Sequence, residues 1–197
     1  MKLIKRSLFS AIFFILTITN VFASNPSEFI SSLSLKASEI LSSKVTDDEK
    51  IVKLKKIGEN SVDINGVGLY TLGKYRKILT ENQKAEYKKL FRDYFLKSFS
   101  GRLISYKDAK IIVISEEVKN EKYTIVYSKL LGNSDRPEVK IDWRVYTKNP
   151  ENPLIRDLVI EGLSLARTQK EEFYSIIENN GGNVQALFDT LSEFANN

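Results

Sequence analysis

The 197-residue chain has no cysteine, no histidine, one methionine, one tryptophan and four prolines. Without cysteine there are no disulfides, iron–sulfur clusters, thiolate zinc sites or cysteine nucleophiles. Without histidine the commonest zinc ligand and the commonest general base are gone, and Ser-His-Asp hydrolysis with them. Carboxylate chemistry and hard-cation sites survive these exclusions. Apolar residues make up 42% and charged residues 28%, a globular composition rather than a disordered one. The length suits one domain, or at most two small ones.

The first residues read as an address. Lys2, Lys5 and Arg6 precede the apolar stretch Leu8–Ile18, and Val21-Phe22-Ala23 offers a cleavage site. This is the layout of a secretory signal peptide. The competing reading is a membrane anchor, but the apolar stretch is about a dozen residues where a spanning helix needs ~20. Cleavage is expected after Ala23, so residues 1–23 form the leader and residues 24–197 a single domain. No cysteine is present to carry a lipid anchor. Loss of three cations lowers the net charge from +5 to +2, which offers nothing to attract nucleic acid. No later segment is long and apolar enough to span a bilayer.

Behind Pro26, the residues Phe29, Leu33, Ala37, Ile40 and Leu41 recur at helical spacing. Thr46-Asp47-Asp48-Glu49 is a capping box for a second helix carrying Ile51, Leu54 and Ile57. A short helical region follows over 63–73. Thr80-Glu81-Asn82-Gln83 opens the longest periodic segment, with Tyr87, Leu90, Phe91, Tyr94, Phe95, Phe99, Leu103 and Tyr106 on one face. Gly101 inside it suggests a kink or a close backbone approach. After Lys107 the period changes to β-branched runs over 109–118, 122–131, 139–147 and 154–161. Val139, Ile141, Trp143 and Val145 alternate with Lys140, Asp142, Arg144 and Tyr146, as in a half-exposed antiparallel strand. Two helices close the chain. The expected fold class is α+β, with N-terminal helices, a four-stranded antiparallel meander and C-terminal helices; the resemblance described below adds the expectation that they enclose an apolar pocket.

No catalytic or metal-binding constellation emerges. Asp47-Asp48-Glu49 lacks calcium-loop spacing and suits a helix N-terminus. Gly66-x-Gly68 is too short for a phosphate fingerprint. Asp142, Asp157 and Glu161 could pair as carboxylates, but Arg144 and Arg156 stand beside them, which favours structural ion pairs. Asp157 and Glu161, four apart, are expected on one strand face, locked to Arg102 or Arg167. The aromatic face from Tyr87 to Tyr106 either packs on the sheet or walls a pocket.

Several blocks together carry a resemblance. Val62-Asp63-Ile64, Leu72-Gly73-Lys74-Tyr75, Thr80–Gln83, Phe99-Ser100-Gly101-Arg102-Leu103-Ile104-Ser105-Tyr106, Val139–Arg144 and above all Ile155-Arg156-Asp157-Leu158-Val159-Ile160-Glu161-Gly162-Leu163 occur in order, followed by Phe173 and Gly181-Gly182. Across 29–191 the chain resembles the periplasmic phospholipid-binding component of the Mla lipid-transport pathway, the MlaC or toluene-tolerance auxiliary family. The resemblance implies a soluble monomeric carrier with no cofactor, no metal and no enzymatic activity. Its ligand would be phospholipid. Its partners would be an outer-membrane lipoprotein–porin complex and an inner-membrane ABC transporter with a lipid-binding ring, and its place the periplasm.

Such a carrier answers a large cost. Each CH₂ left in water costs ~0.8 kcal/mol, so two long acyl chains cost on the order of 20 kcal/mol. A carrier therefore needs a largely apolar pocket. The expected lining is Leu72, Tyr75, Phe91, Phe95, Phe99, Leu103 and Tyr106 from the helical side, facing Ile125, Tyr127, Ile141, Trp143, Val145, Leu158 and Ile160 from the sheet. Two readings of other classes stand beside it: a periplasmic structural or chaperone-like protein with a filled core, and a small α+β isomerase-like enzyme using Tyr and Asp.

Overall fold

The structure is a computed structural model that describes residues 25–134 and 136–197. The expected leader, residues 1–23, lies outside the described residues. Among those described, no helix is long and apolar enough to cross a membrane.

Four helices lead: α1 (Pro26–Ser42), α2 (Asp47–Ser61), α3 (Ile64–Thr71) and α4 (Glu81–Leu103), with a short 3₁₀ turn at Gly73–Lys77. Their starts follow from side-chain chemistry. Asn25 caps α1 ahead of Pro26. Thr46 and Glu49 satisfy each other's backbone N–H groups at the start of α2, and Thr80 and Gln83 do the same for α4. Each box closes orphan donors that would otherwise be left to water. The sheet follows as β1 (Ile111–Asn120), β2 (Tyr123–Leu130), β3 (Val139–Tyr146), β4 (Leu154–Ile160) and β5 (Leu163–Ser164), antiparallel and in sequential order. α5 (Leu165–Asn179) and α6 (Val184–Asn196) complete the chain.

The α+β class and the meander agree with expectation, and the sheet has five strands rather than four. The extra strand exists because β4 stops at Ile160. Glu161 and Gly162 both take positive φ, 48° and 82°, which turns the chain back as a tight hairpin. Glu161 is therefore not on the strand with Asp157, and it is exposed. Tyr106 lies beyond α4, whose end tightens into a turn with the Tyr106 N–H bonded to the Leu103 carbonyl at 2.9 Å. Gly101 makes no close approach, since a Cβ there would meet nothing within 4 Å. The tight contact is at Gly68, where a Cβ would stand 2.7 Å from the Phe91 ring.

Two apolar cores result. One is all-helical, gathering Leu72, Tyr75, Tyr87, Phe91, Phe173, Ile177, Leu187 and Phe188. The other joins Ile30 of α1 to Val126, Ile141, Trp143, Val145 and Ile155 of the sheet. Val62 packs against both. The junction is pinned there: the Asp63 N–H bonds the Ile155 carbonyl at 2.9 Å, and the Asp63 carboxylate takes the Arg156 Nε at 2.6 Å. Arg156 also donates to the Tyr123 hydroxyl and lies over the Tyr146 ring at 3.6 Å.

Candidate functional site

One face of the sheet is apolar across β2, β3 and β4. Strand alternation places Val126 and Leu130, then Ile141, Trp143 and Val145, on the same side. On β4 the residues Ile155 and Leu158 are three apart and would point to opposite sides of a regular strand. The register slips between Arg144 and Val145, so Leu158 still faces Trp143 while Ile155 faces Val145. The polar groups on this face satisfy each other. The Trp143 indole N–H donates to Ser128 Oγ at 2.8 Å, and the Ser128 hydroxyl donates to the Ile141 carbonyl at 3.0 Å.

α1 lies over this face, with Phe29, Ile30 and Leu33 packed on it. Its N-terminus is tied to β1, where the Ser27 N–H and hydroxyl both donate to Glu116, at 2.9 and 2.6 Å. α2 begins near the other end of the same edge, with Asp47 3.9 Å from Lys107 just ahead of β1. α1 therefore runs along β1 toward the strand's start.

The cover is uneven. At the end where Thr124, Val145 and Ile155 meet, the inner residues are closed, with Val145 at 0% exposure. Toward the other end Ile111, Val113, Val139 and Ile160 pack on the core yet remain half-exposed. Among the described residues, nothing fully seals these apolar side chains.

The sequence-predicted lining does not form two facing walls. Ile141, Trp143, Val145, Leu158 and Ile160 share the α1-covered face. Ile125 and Tyr127 pair with Arg144 and Asp142 and occupy the opposite face; the Tyr127 hydroxyl donates there to Glu117 at 2.7 Å. On the helical side, Leu72, Tyr75 and Phe91 are buried in the all-helical core. Phe95 stacks between Phe91 and Phe99, and Phe99 lies over Gly58 of α2. Leu103 is half-buried and Tyr106 is 41% exposed. The long helix α4 packs on α2, α3 and α6 and meets α5 through Phe91 and Tyr94 against Phe173, whereas the helices that pack on the strands are α1, α2, α3 and α5. A pocket between α4 and the sheet is therefore corrected: α1 is the element that covers the apolar face of the strands. Phe29, Leu33, Ile111, Val113 and Val139 belong to the face and were missed as lining. Their periodicity was legible, but nothing in it said which helix meets which sheet face.

Several titratable groups are held by neighbouring structural elements. Asp157 accepts from Ser164 Oγ at 2.6 Å and the Ala166 N–H at 3.0 Å, with Arg144 at 3.3 Å. Neither Arg102 nor Arg167 serves it as an ion partner. Glu161 accepts from the Lys140 N–H at 2.5 Å. Glu178 is held down to about 2, first by the Lys74 ammonium and then by the Tyr75 hydroxyl. Burial pushes the Tyr87 phenol up, while its hydroxyl meets Thr71 Oγ1 and the Gly68 carbonyl. Among the described residues no cluster of acidic, histidine or cysteine side chains is arranged to hold a metal. Two surface concavities, about 170 Å³ beside Lys74 and Tyr174 and about 530 Å³ beside Asp63 and Arg92, lie away from the α1-covered face.

Comparison with known proteins agrees with this architecture. A phospholipid-binding protein from Ralstonia solanacearum, solved in complex with a phospholipid, has the same fold. The TM-score is 0.72 at 17% identity, covering 87% of this chain and 97% of that one. No curated protein matches the sequence. The MlaC protein family model matches residues 32–193, nearly the whole of the described chain, and the chain belongs to the MlaC family.

Proposed function

We propose that this protein is an exported phospholipid carrier. The observation that carries the reading is the half-covered apolar face beneath α1, bounded by Phe29, Leu33, Ile111, Val113, Trp143, Leu158 and Ile160. Acyl chains lie between α1 and the sheet, replacing water against these side chains. Each buried CH₂ returns ~0.8 kcal/mol of the cost of exposing it. The phospholipid held by the Ralstonia protein of the same fold supports this. Residues 1–23 are removed on export to the periplasm, and residues 24–197 work as a monomeric single domain. The protein receives and delivers lipid between an outer-membrane lipoprotein–porin complex and an inner-membrane ABC transporter with a lipid-binding ring. It performs no covalent chemistry, a reading supported by the engagement of Asp157 and Glu161, the carboxylates of β4 and its turn, with structural donors.

Native mass spectrometry of gently purified protein tests this. The expected result is a monomer carrying phospholipid mass. Protein that emerges without lipid, and takes none from phosphatidylethanolamine vesicles, would support the filled-core or enzyme readings instead.

A further inference from the structure

At the open end of the apolar face stands a cation whose donors are not all used. Arg136 lies in the β2–β3 connection, three residues before Val139. Its guanidinium sits over the Tyr106 ring, 5.6 Å from the centroid. Its Nε is buried and has no hydrogen-bond partner. No carboxylate among the described residues is within ion-pair distance of it. A buried N–H left unpaired is costly, and a charged one more so.

The backbone around Arg136 is held in place. The Asn133 N–H bonds the Arg136 carbonyl at 2.8 Å, and the returned N–H contact is 3.4 Å. Gly132 packs so closely on this turn that a Cβ would meet the Arg136 carbonyl oxygen at 2.9 Å. Tyr106 is fixed from its own side, since the Ala109 N–H bonds its carbonyl at 3.2 Å. Ala109 and Val139 both pack on the sheet core, and Ile111 and Val139 both flank Leu130. The guanidinium and ring thus stand where the half-exposed apolar residues end.

We infer that Arg136, seated on Tyr106, binds the phosphate of the carried lipid while the acyl chains occupy the α1-covered face; this rests on the carrier reading above. The guanidinium fork suits phosphate oxygens, and the aromatic ring holds its plane in position. The contact recognises the phosphate group that phospholipids share. It leaves the rest of the head group in water.

The chain's single tryptophan, Trp143, lies on the same face and reports occupancy by fluorescence. Delipidated wild type, Arg136→Gln and Arg136→Lys are titrated with dioctanoyl phosphatidylglycerol and with dioctanoylglycerol, which lacks the phosphate. The expected result is roughly tenfold weaker phosphatidylglycerol binding in Arg136→Gln, with dioctanoylglycerol binding unchanged. Arg136→Lys, which keeps the charge and loses the fork, should fall between. Should Arg136→Gln not fold, the ratio of the two lipids in Arg136→Lys decides. Equal binding of both lipids to variant and wild type, or equal loss of both, overturns the phosphate assignment. Inorganic phosphate binding to wild type with the same Arg136 dependence, without lipid, would make this a free-anion site and overturn it too. Wild type that binds neither lipid removes the carrier reading itself, an outcome distinct from the others.

Discussion

Asp157→Ala should be the most damaging polar substitution on β4. The side chain is only 7% exposed and joins two elements. It accepts from the Ser164 hydroxyl and from the Ala166 N–H in the first turn of α5, so a strand carboxylate caps a helix. A hydrogen bond to a charged group contributes about 1.5–3 kcal/mol. The Arg144 contact adds little, because Arg144 is 46% exposed and solvent screens it. Ser164 can turn its hydroxyl to water, which recovers part of one bond. The expected loss is about 3 kcal/mol, a fall in Tm of roughly 6–12 °C for a domain of this size. Asp157→Asn keeps an acceptor and loses the charge, so it should cost about 1–2 kcal/mol. Glu161→Gln is the control: Glu161 is exposed and its amide oxygen still reaches Lys140, so the change should stay below about 0.5 kcal/mol. Urea unfolding, with the slope checked for constancy, measures all three. A loss under about 1 kcal/mol for Asp157→Ala, or an equal loss in Glu161→Gln, would refute the capping argument.

Gly68→Ala should destabilise by about 1–3 kcal/mol, since the new Cβ would stand 2.7 Å from the buried Phe91 ring; thermal melting that matches wild type contradicts this. Glu178 should titrate well below its ordinary 4.5, near 2, in a carboxyl NMR titration, and Lys74→Ala should raise that midpoint. Because the folded value is depressed, the stability from this contact is present above pH 4.5 and fades as pH falls toward 2; a wild-type midpoint at 4.5 would disprove the pairing. Ile160→Asp, at a half-exposed position, should fold and lose bound phospholipid in native mass spectra. Val145→Asp, at 0% exposure, should fail to fold, because it buries an unpaired charge. The same outcome for both variants would mean that the face is not graded in exposure.

Local chemistry made much of this fold readable. The reciprocal Thr46–Glu49 and Thr80–Gln83 contacts involve residues three apart, so the chain announces them wherever it folds. The alternation along Val139–Tyr146 likewise names its buried side, since side chains in a strand point alternately to its two faces. The candidate site was less legible. Ile125 and Tyr127 look as apolar as Ile141 and Trp143, and only cross-strand register shows that they face the other way. Leu72 and Phe91 look like pocket wall, and only packing shows that they meet Phe173 and Phe188 instead.

Composition, capping signals and periodicity settled the fold class, most of the elements, and the absence of cysteine and histidine chemistry. These depend on covalent identity and on neighbours a few residues away. The choice of α1 as the cover of the sheet depended on the tertiary structure. So did the slip that turns Ile155 and Leu158 to one side, the hairpin that carries Glu161 off β4, and the meeting of Arg136 with Tyr106. Each joins residues whose separation in sequence carries no period, or breaks a period already running. A one-dimensional pattern tells which surfaces must be buried, but hydrophobic burial is non-directional, and only the packed chain decides what buries them.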